Sequence, residues 1–164
     1  KVAIITGSGG GIGRAVALRY AKEGAKCVVV DINGKNADLV AKEIKSFSGN
    51  VLNLEMDVRE QSDIDKTINL TLKSFNTIDI LFNNAGIFDM APFFESTRES
   101  YNNIFEVNVK GMFFMMQAVA SQMVDSVPMR RYGSINEVIG PVLFLLSDDA
   151  SYLTGIDIKI TGGE

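Results

Sequence analysis

A glycine-rich turn, Thr6-Gly7-Ser8-Gly9-Gly10-Gly11-Ile12-Gly13, separates a short apolar run from a helical pattern. Glycines at such a junction let the backbone turn tightly and approach a pyrophosphate. The free N–H groups and dipole of the following helix then hold the charge. The spacing is Gly-x-x-x-Gly-x-Gly through Gly7, Gly11 and Gly13. It does not fit Gly-x-Gly-x-x-Gly, and no Gly-Lys-Ser/Thr completes a P-loop. A glycine-rich turn alone is often merely a turn. Inside a first βαβ unit it predicts a dinucleotide site.

Asp31 ends the second strand-like run, 18 residues after Gly13, close to the ~20 expected of the acid that grips an adenosine ribose. A charged hydrogen bond of this kind contributes about 1.5–3 kcal/mol, and the same carboxylate repels a 2′-phosphate. Neither the following Ile32-Asn33-Gly34 nor Gly10 supplies a cation. NAD is therefore expected rather than NADP. The bland alternative is a solvated acid at a strand end. Asp57-Val58 closes a third strand and Asn83-Asn84-Ala85-Gly86 a fourth, and ligands in such sheets bind outside the carboxyl ends of the strands. Each motif alone is weak, since Asn and Gly are common in turns; their joint placement predicts one crevice.

The elements that must position these residues alternate between strand and helix patterns. Val2–Thr6, Cys27–Val30, Val51–Val58 and Ile78–Phe82 read as near-continuous apolar strands, which implies burial on both faces. Between them Val16, Ala17, Tyr20 and Ala21, then Ala37, Val40, Ala41 and Ile44, then Ile64, Ile68, Leu72 and Phe75 recur at helical spacing. A long helix follows, with Tyr101, Ile104, Phe105, Asn108, Gly111, Met112, Met115, Ala118, Val119 and Gln122 on one face. Asn108 is the odd residue on that face. An unsatisfied amide there costs about 1–3 kcal/mol, so it needs partners, structural or catalytic. Met112, Met115 and Met116 read as core filling. A further helix spans Ile135 to Leu146, and Ile156, Ile158 and Ile160 alternate with polar residues as an edge strand does. The pattern predicts an α/β, Rossmann-type doubly wound parallel sheet, a single NAD-binding domain over residues 1–164.

Composition bounds the rest. The chain has 164 residues, 46% hydrophobic and 22% charged, with a formal charge of −4. No basic patch is available to neutralise phosphates, which argues against nucleic acid. There is no histidine and one cysteine, Cys27. Histidine triads, most zinc sites and an internal disulfide are excluded, no metal is expected, and a reducing cytoplasm is the default. No run approaches the ~18 apolar residues of a membrane span. The first residues are too quickly glycine-rich for a signal peptide. The lack of an initiator Met suggests that the natural chain starts earlier.

Together these residues resemble the short-chain dehydrogenase/reductase family in its NAD-using form. The likeness runs through Thr6–Gly13, Asp31, Asp57-Val58, Asn83–Gly86 and Val107-Asn108-Val109-Lys110-Gly111. It resumes from Arg131-Tyr132-Gly133 to Glu137, Leu143 to Asp148, Ala150-Ser151-Tyr152-Leu153-Thr154-Gly155 and Gly162-Gly163. The resemblance implies cofactor contacts at Gly7, Ser8, Gly10, Gly11, Ile12 and Gly13, and at Asp31 with Ile32. It implies that Asp57 and Val58 hold the adenine and that Asn84, Ala85 and Gly86 lie along the ribose. Asn108 takes the place of the family's helix-interior Asn, which keeps a water in the proton relay, so a catalytic role is expected of it. The resemblance also implies a homodimer or homotetramer.

The family's catalytic centre is a Ser on the fifth strand followed by Tyr-x-x-x-Lys on the next helix. The residues four after Tyr20, Tyr101, Tyr132 and Tyr152 are Gly24, Phe105, Asn136 and Ile156, so no Tyr has its Lys. Gly133-Ser134-Ile135-Asn136 superficially resembles the serine strand, but Glu137 and an amphipathic helix follow, so Ser134 and Tyr132 read as decoys. Roughly two βαβ units, about 30 residues each, are missing near residues 123–126. These would carry the fifth and sixth strands and the helix between them. In the order 3-2-1-4-5-6 their loss leaves the fourth strand as an exposed edge and the last without a neighbour. Either the segment exists in the protein and is missing from this sequence, or it is deleted.

The stretches Phe88–Pro92 and Met112–Ala120 are similar to sugar-alcohol dehydrogenases of the family. The expected function is hydride transfer between an alcohol or polyol, or the corresponding ketone, and NAD. The alternative is a catalytically silent, truncated NAD-binding chain or partner subunit. A site for another adenine nucleotide such as FAD fits the spacing less well.

Overall fold

The computed structural model describes residues 1–126, 131 and 133–151. Strands β1 (Val2–Thr6), β2 (Lys26–Asp31), β3 (Val51–Glu55) and β4 (Ile80–Phe82) form one parallel sheet in the order β3-β2-β1-β4. Those are the first four strands of the doubly wound order expected from the sequence. Helices α1 (Gly11–Lys22), α2 (Gly34–Ser46) and α3 (Gln61–Phe75) connect the strands.

Burial explains why these segments fold as they do. Ala3 and Ile5 of β1 and Cys27 and Val29 of β2 share a buried cluster with Ala17 and Ala21 of α1 and Ala37, Val40 and Ile44 of α2. Small residues on α1 let that helix lie close to the sheet. Ile4, Val28 and Val30 alternate to the opposite face and are equally buried. The two central strands, β1 and β2, are thus covered on both sides, as their continuous apolar character required, whereas β3 and β4 at the sheet's edges are half-buried.

Local chemistry fixes the helix ends. The Asn33 side chain accepts from the N–H groups of Lys35 (3.1 Å) and Asn36 (3.2 Å), capping α2. Asn76, in the left-handed region at φ 67°, closes α3.

The expected long helix is interrupted. Helix α4 (Arg98–Phe105) passes into a π-helical turn, Glu106–Gly111, and then into α5 (Met112–Ser126). The wider turn shifts the helical face, so Gly111, Met115 and Val119 are buried while Tyr101, Phe105 and Met112 are exposed. The sequence-based grouping of all of these on one buried face is corrected accordingly. The third strand is also shorter than expected: it ends at Glu55, and Asp57-Val58 lie in the loop beyond it.

The chain divides into two compact units, Lys1–Ala120 and Ser121–Glu164. In the second, α6 (Ile135–Leu145) begins with a capping box. The Ser134 N–H donates to Glu137 (2.7 Å), and the Glu137 N–H donates to the Ser134 hydroxyl (3.4 Å). Arg131 donates to both Glu137 oxygens at 2.8 and 2.5 Å. That pairing holds the Glu137 carboxyl down at about 2. Ser134 is thus a helix cap, in agreement with its reading as a decoy. Among the described residues of this unit no strand occurs. Tyr132 and the expected strand around Ile156–Ile160 lie outside the described residues.

Candidate functional site

A crevice of about 750 Å³ runs along the carboxyl ends of the four strands, within the size range of small-molecule sites. Its floor is the β1–α1 turn. Gly7 and Gly11 sit at φ 60° and 52°, where a side chain would be strained. A Cβ on Gly7 would lie 2.8 Å from Ala85 Cα, and one on Gly13 would lie 2.5 Å from the Gly7 carbonyl. Glycine is needed there for backbone-to-backbone contact.

Gly10 and Gly11 face open space. Helix α1 has no side-chain cap, since its N-cap is Gly10, and no acid in its first turn. The first N–H groups of a helix have no intrahelical partner. Here no side chain caps them, and Gly10, Gly11 and Ile12 line the crevice, so the turn fits a pyrophosphate.

Asp31 closes the next wall. Its Oδ2 accepts the Gly9 N–H at 2.8 Å, and its Oδ1 accepts the Asn33 N–H at 2.9 Å. The carboxylate is therefore oriented before any ligand arrives. Ile32 and Ile12 are largely exposed at the rim, and Asn36 packs beside Gly9.

Beyond β3, Asp57 and Val58 line the far wall. The Asp57 N–H donates to Asp63 (3.0 Å). Its carboxylate accepts from Arg59, and the hydrogen bond from that guanidinium holds it below the usual carboxylate range. Asn84, Ala85 and Gly86 line the wall after β4. The Asn84 amide donates to the carbonyls of Thr6 (3.1 Å) and Gly7 (3.0 Å), tying this loop to the glycine turn.

Three expected residues stand behind the surface. The Ser8 hydroxyl is buried, donating to Ile5 O (2.7 Å) and accepting the Val30 N–H (3.0 Å). Gly13 packs under the turn. Asn108 sits in the π-helical turn and exchanges two hydrogen bonds with Ile87: its amide donates to Ile87 O (2.8 Å) and accepts the Ile87 N–H (2.9 Å). The partners that an interior Asn requires are thus the backbone of a crevice residue. Gly9, Phe88 and Val107, which lay inside the motifs quoted above, also line the crevice, and so do Asn36, Met56, Arg59 and Ile87, which the sequence did not single out. Of the last four, only Arg59 carried a signal, a cation two residues after an expected site acid.

A sequence profile described as short chain dehydrogenase matches residues 1–139. The chain belongs to the short chain dehydrogenase family. Its crevice is therefore the switch-point crevice of a member of that family, at the strand ends where the order turns from β1 to β4. Among relatives, the chain is 47% identical over 124 residues to a sorbitol dehydrogenase of Cereibacter sphaeroides. It is 43% identical over 124 residues to a galactitol 2-dehydrogenase of Agrobacterium fabrum. Each match covers 76% of this chain and 47% of the relative. A crystal structure of a short-chain type dehydrogenase/reductase from Mycobacterium marinum superposes with a TM-score of 0.75 at 34% identity, covering 78% of this chain and 50% of that one. This short chain dehydrogenase thus spans about half the length of the curated relatives it matches.

Among the described residues no group of His, Cys, Asp or Glu could hold a metal ion. No helix among them is long and apolar enough to cross a membrane.

Proposed function

We propose that the protein is an NAD-dependent oxidoreductase acting on an alcohol or polyol, or on the corresponding ketone. The observation that carries this reading is the uncapped N-terminus of α1 with Asp31 hydrogen-bonded to the turn beside it. The first accepts a pyrophosphate, and the second accepts the hydroxyls of a ribose. When bound, the nicotinamide supplies or accepts a hydride. Asp57 and Val58 hold the adenine, and Asn84, Ala85 and Gly86 follow the second ribose. The preoriented Asp31 carboxylate repels a 2′-phosphate, which favours NAD over NADP. Asn108 holds Ile87 at the wall of the crevice. Sorbitol and galactitol in the names of two relatives support a sugar alcohol as the substrate class.

The Ser and Tyr-x-x-x-Lys of the chemical step belong to a segment absent near residues 123–126. The family membership and the half-length match to relatives support that segment, as does a three-residue β4 at the edge of the described sheet. A homo-oligomer in the cytoplasm completes the reading.

A second reading rests on the lack of any Tyr with a Lys four residues later: a silent NAD-binding chain. Intact mass, NAD titration and polyol-dependent NADH formation test both. A mass about 7 kDa or more above 17.9 kDa, with NADH formed, supports the enzyme. A mass of 17.9 kDa with NAD bound and no turnover supports the silent chain. Failure to bind NAD overturns both.

A further inference from the structure

The π-helical turn Glu106–Gly111 meets the crevice at two loops that the sheet holds apart. Strands β3 and β4 are the outermost of the order β3-β2-β1-β4. Each runs into a loop that lines the crevice, with Val58 after β3 and Ile87 after β4. Gly111, the last residue of the turn, is buried. A Cβ on it would stand 2.7 Å from Val58 Cγ2 and 3.0 Å from both the Val58 Cβ and the Val58 carbonyl oxygen. Asn108, three residues earlier, grips the other loop through its paired hydrogen bonds with the Ile87 backbone. Val107 of the same turn lines the crevice itself. Single π-helical turns are rare inside α-helices and gather at functional sites.

We propose that Gly111 is a positioning residue: with no side chain between the turn and Val58, it seats the turn on the loop after β3, and through Asn108 that seat fixes the Ile87 backbone in the loop after β4. The two loops then order together. Close-packed contacts transmit a displacement instead of absorbing it, so a shift at Val58 reaches Asn108. A ligand half that settles against Val58 thereby stiffens Ile87 without touching it. This last step rests on the dinucleotide reading, with the adenine against Val58; the seat itself does not.

Amide hydrogen exchange followed by NMR on the full chain tests the seat in the wild type, in Gly111→Ala and in Gly111→Ala combined with Val58→Ala. Ala85 is the internal reference. It lies two residues before Ile87 in the same loop, but its N–H donates to Thr6 of β1, whereas that of Ile87 donates to the turn. The ratio of the two rates therefore separates a lost seat from a general loss of stability. Gly111→Ala should speed Ile87 about tenfold relative to Ala85, the scale of one hydrogen bond. Removing the Val58 methyls in the double variant should return part of that ratio. Saturating AMP, which carries the adenosine half alone, should slow Ile87 in the wild type and not in Gly111→Ala.

An unchanged ratio in Gly111→Ala overturns the proposal, whether both rates rise or neither does. So does a double variant no closer to the wild type than the single one. AMP that binds the wild type and leaves Ile87 unaffected, or slows it equally in Gly111→Ala, also overturns it. If Gly111→Ala alone does not fold, the double variant carries the comparison: a ratio above that of the wild type supports the seat, and a wild-type ratio overturns it. A wild type that binds neither AMP nor NAD removes the dinucleotide reading, and the exchange ratio of the variants still decides the seat.

Discussion

Asn84 donates to Thr6 twice, once from its backbone and once from its side chain. The Asn84 N–H donates to Thr6 Oγ1 at 2.9 Å, and the Asn84 side-chain amide donates to the Thr6 carbonyl at 3.1 Å. The same hydroxyl oxygen accepts the Ala85 N–H at 3.0 Å. One buried threonine at the end of β1 thus joins the glycine turn to the loop after β4. The floor of the crevice and the wall after β4 are thereby tied together.

Replacing Thr6 by Val keeps the shape and removes the acceptor. Two N–H groups lose their partner at about 1–3 kcal/mol each. Urea unfolding should show a loss of a few kcal/mol and weaker NAD binding, whereas Thr6→Ser should recover most of both. A Val variant as stable as wild type would show that water replaces the hydroxyl.

Gly13→Ala tests the close packing of helix on turn. The new Cβ would stand 2.5 Å from the Gly7 carbonyl and 2.6 Å from the Asn84 amide nitrogen, so backbone must move. Overpacking of this kind costs about 1–3 kcal/mol, and the displaced turn should lower NAD affinity at least tenfold. Thermal unfolding and titration calorimetry on the same sample separate the two effects. An alanine variant that keeps full affinity would show that the turn tolerates the shift.

Asp31→Asn retains an acceptor and the size of the side chain but removes the charge. NAD affinity should fall about tenfold or more, since a bond to a charged group contributes about 1.5–3 kcal/mol. NADP should bind no worse than before, because the repulsion of its 2′-phosphate is gone. The ratio of the two dissociation constants is the readout. An unchanged ratio would remove Asp31 as the selectivity residue.

Legibility divided along a physical line. The β1–α1 turn, Asp31 and the strand ends could be read because glycine spacing and apolar runs are local in sequence, and the parallel order followed from alternation alone. Asn108 could be singled out as a polar residue among apolar ones. Its partner Ile87, 21 residues earlier, could not, because that pairing depends on a π-helical turn with no marker in composition. The exposure of Tyr101, Phe105 and Met112 escaped for the same reason: one extra residue per turn rotates the face that a 3.6-residue period predicts. Arg59 was missed because its role lies in a fork that closes on Asp57 only once the loop after β3 has folded. The Ser134 cap was legible, since Ser followed three residues later by Glu at a helix start is itself a local pattern.

Cys27 gives a pH dependence of definite sign. Burial among the residues of the sheet pushes its thiol up to about 11 from an ordinary 9.0, because the thiolate is disfavoured there. The folded state then retains a proton that the unfolded chain releases, so stability is full below pH 9.0 and falls as pH rises toward 11. Compared with Cys27→Ala, the wild type should lose up to about 1.4 kcal/mol per pH unit across that window. Urea midpoints of the two proteins at several pH values measure the difference. At pH 8 the native thiol should resist iodoacetamide, whereas the unfolded chain reacts, because the thiolate is the nucleophile. Parallel stability curves for the two proteins, or rapid native alkylation, would show that Cys27 is reached by water.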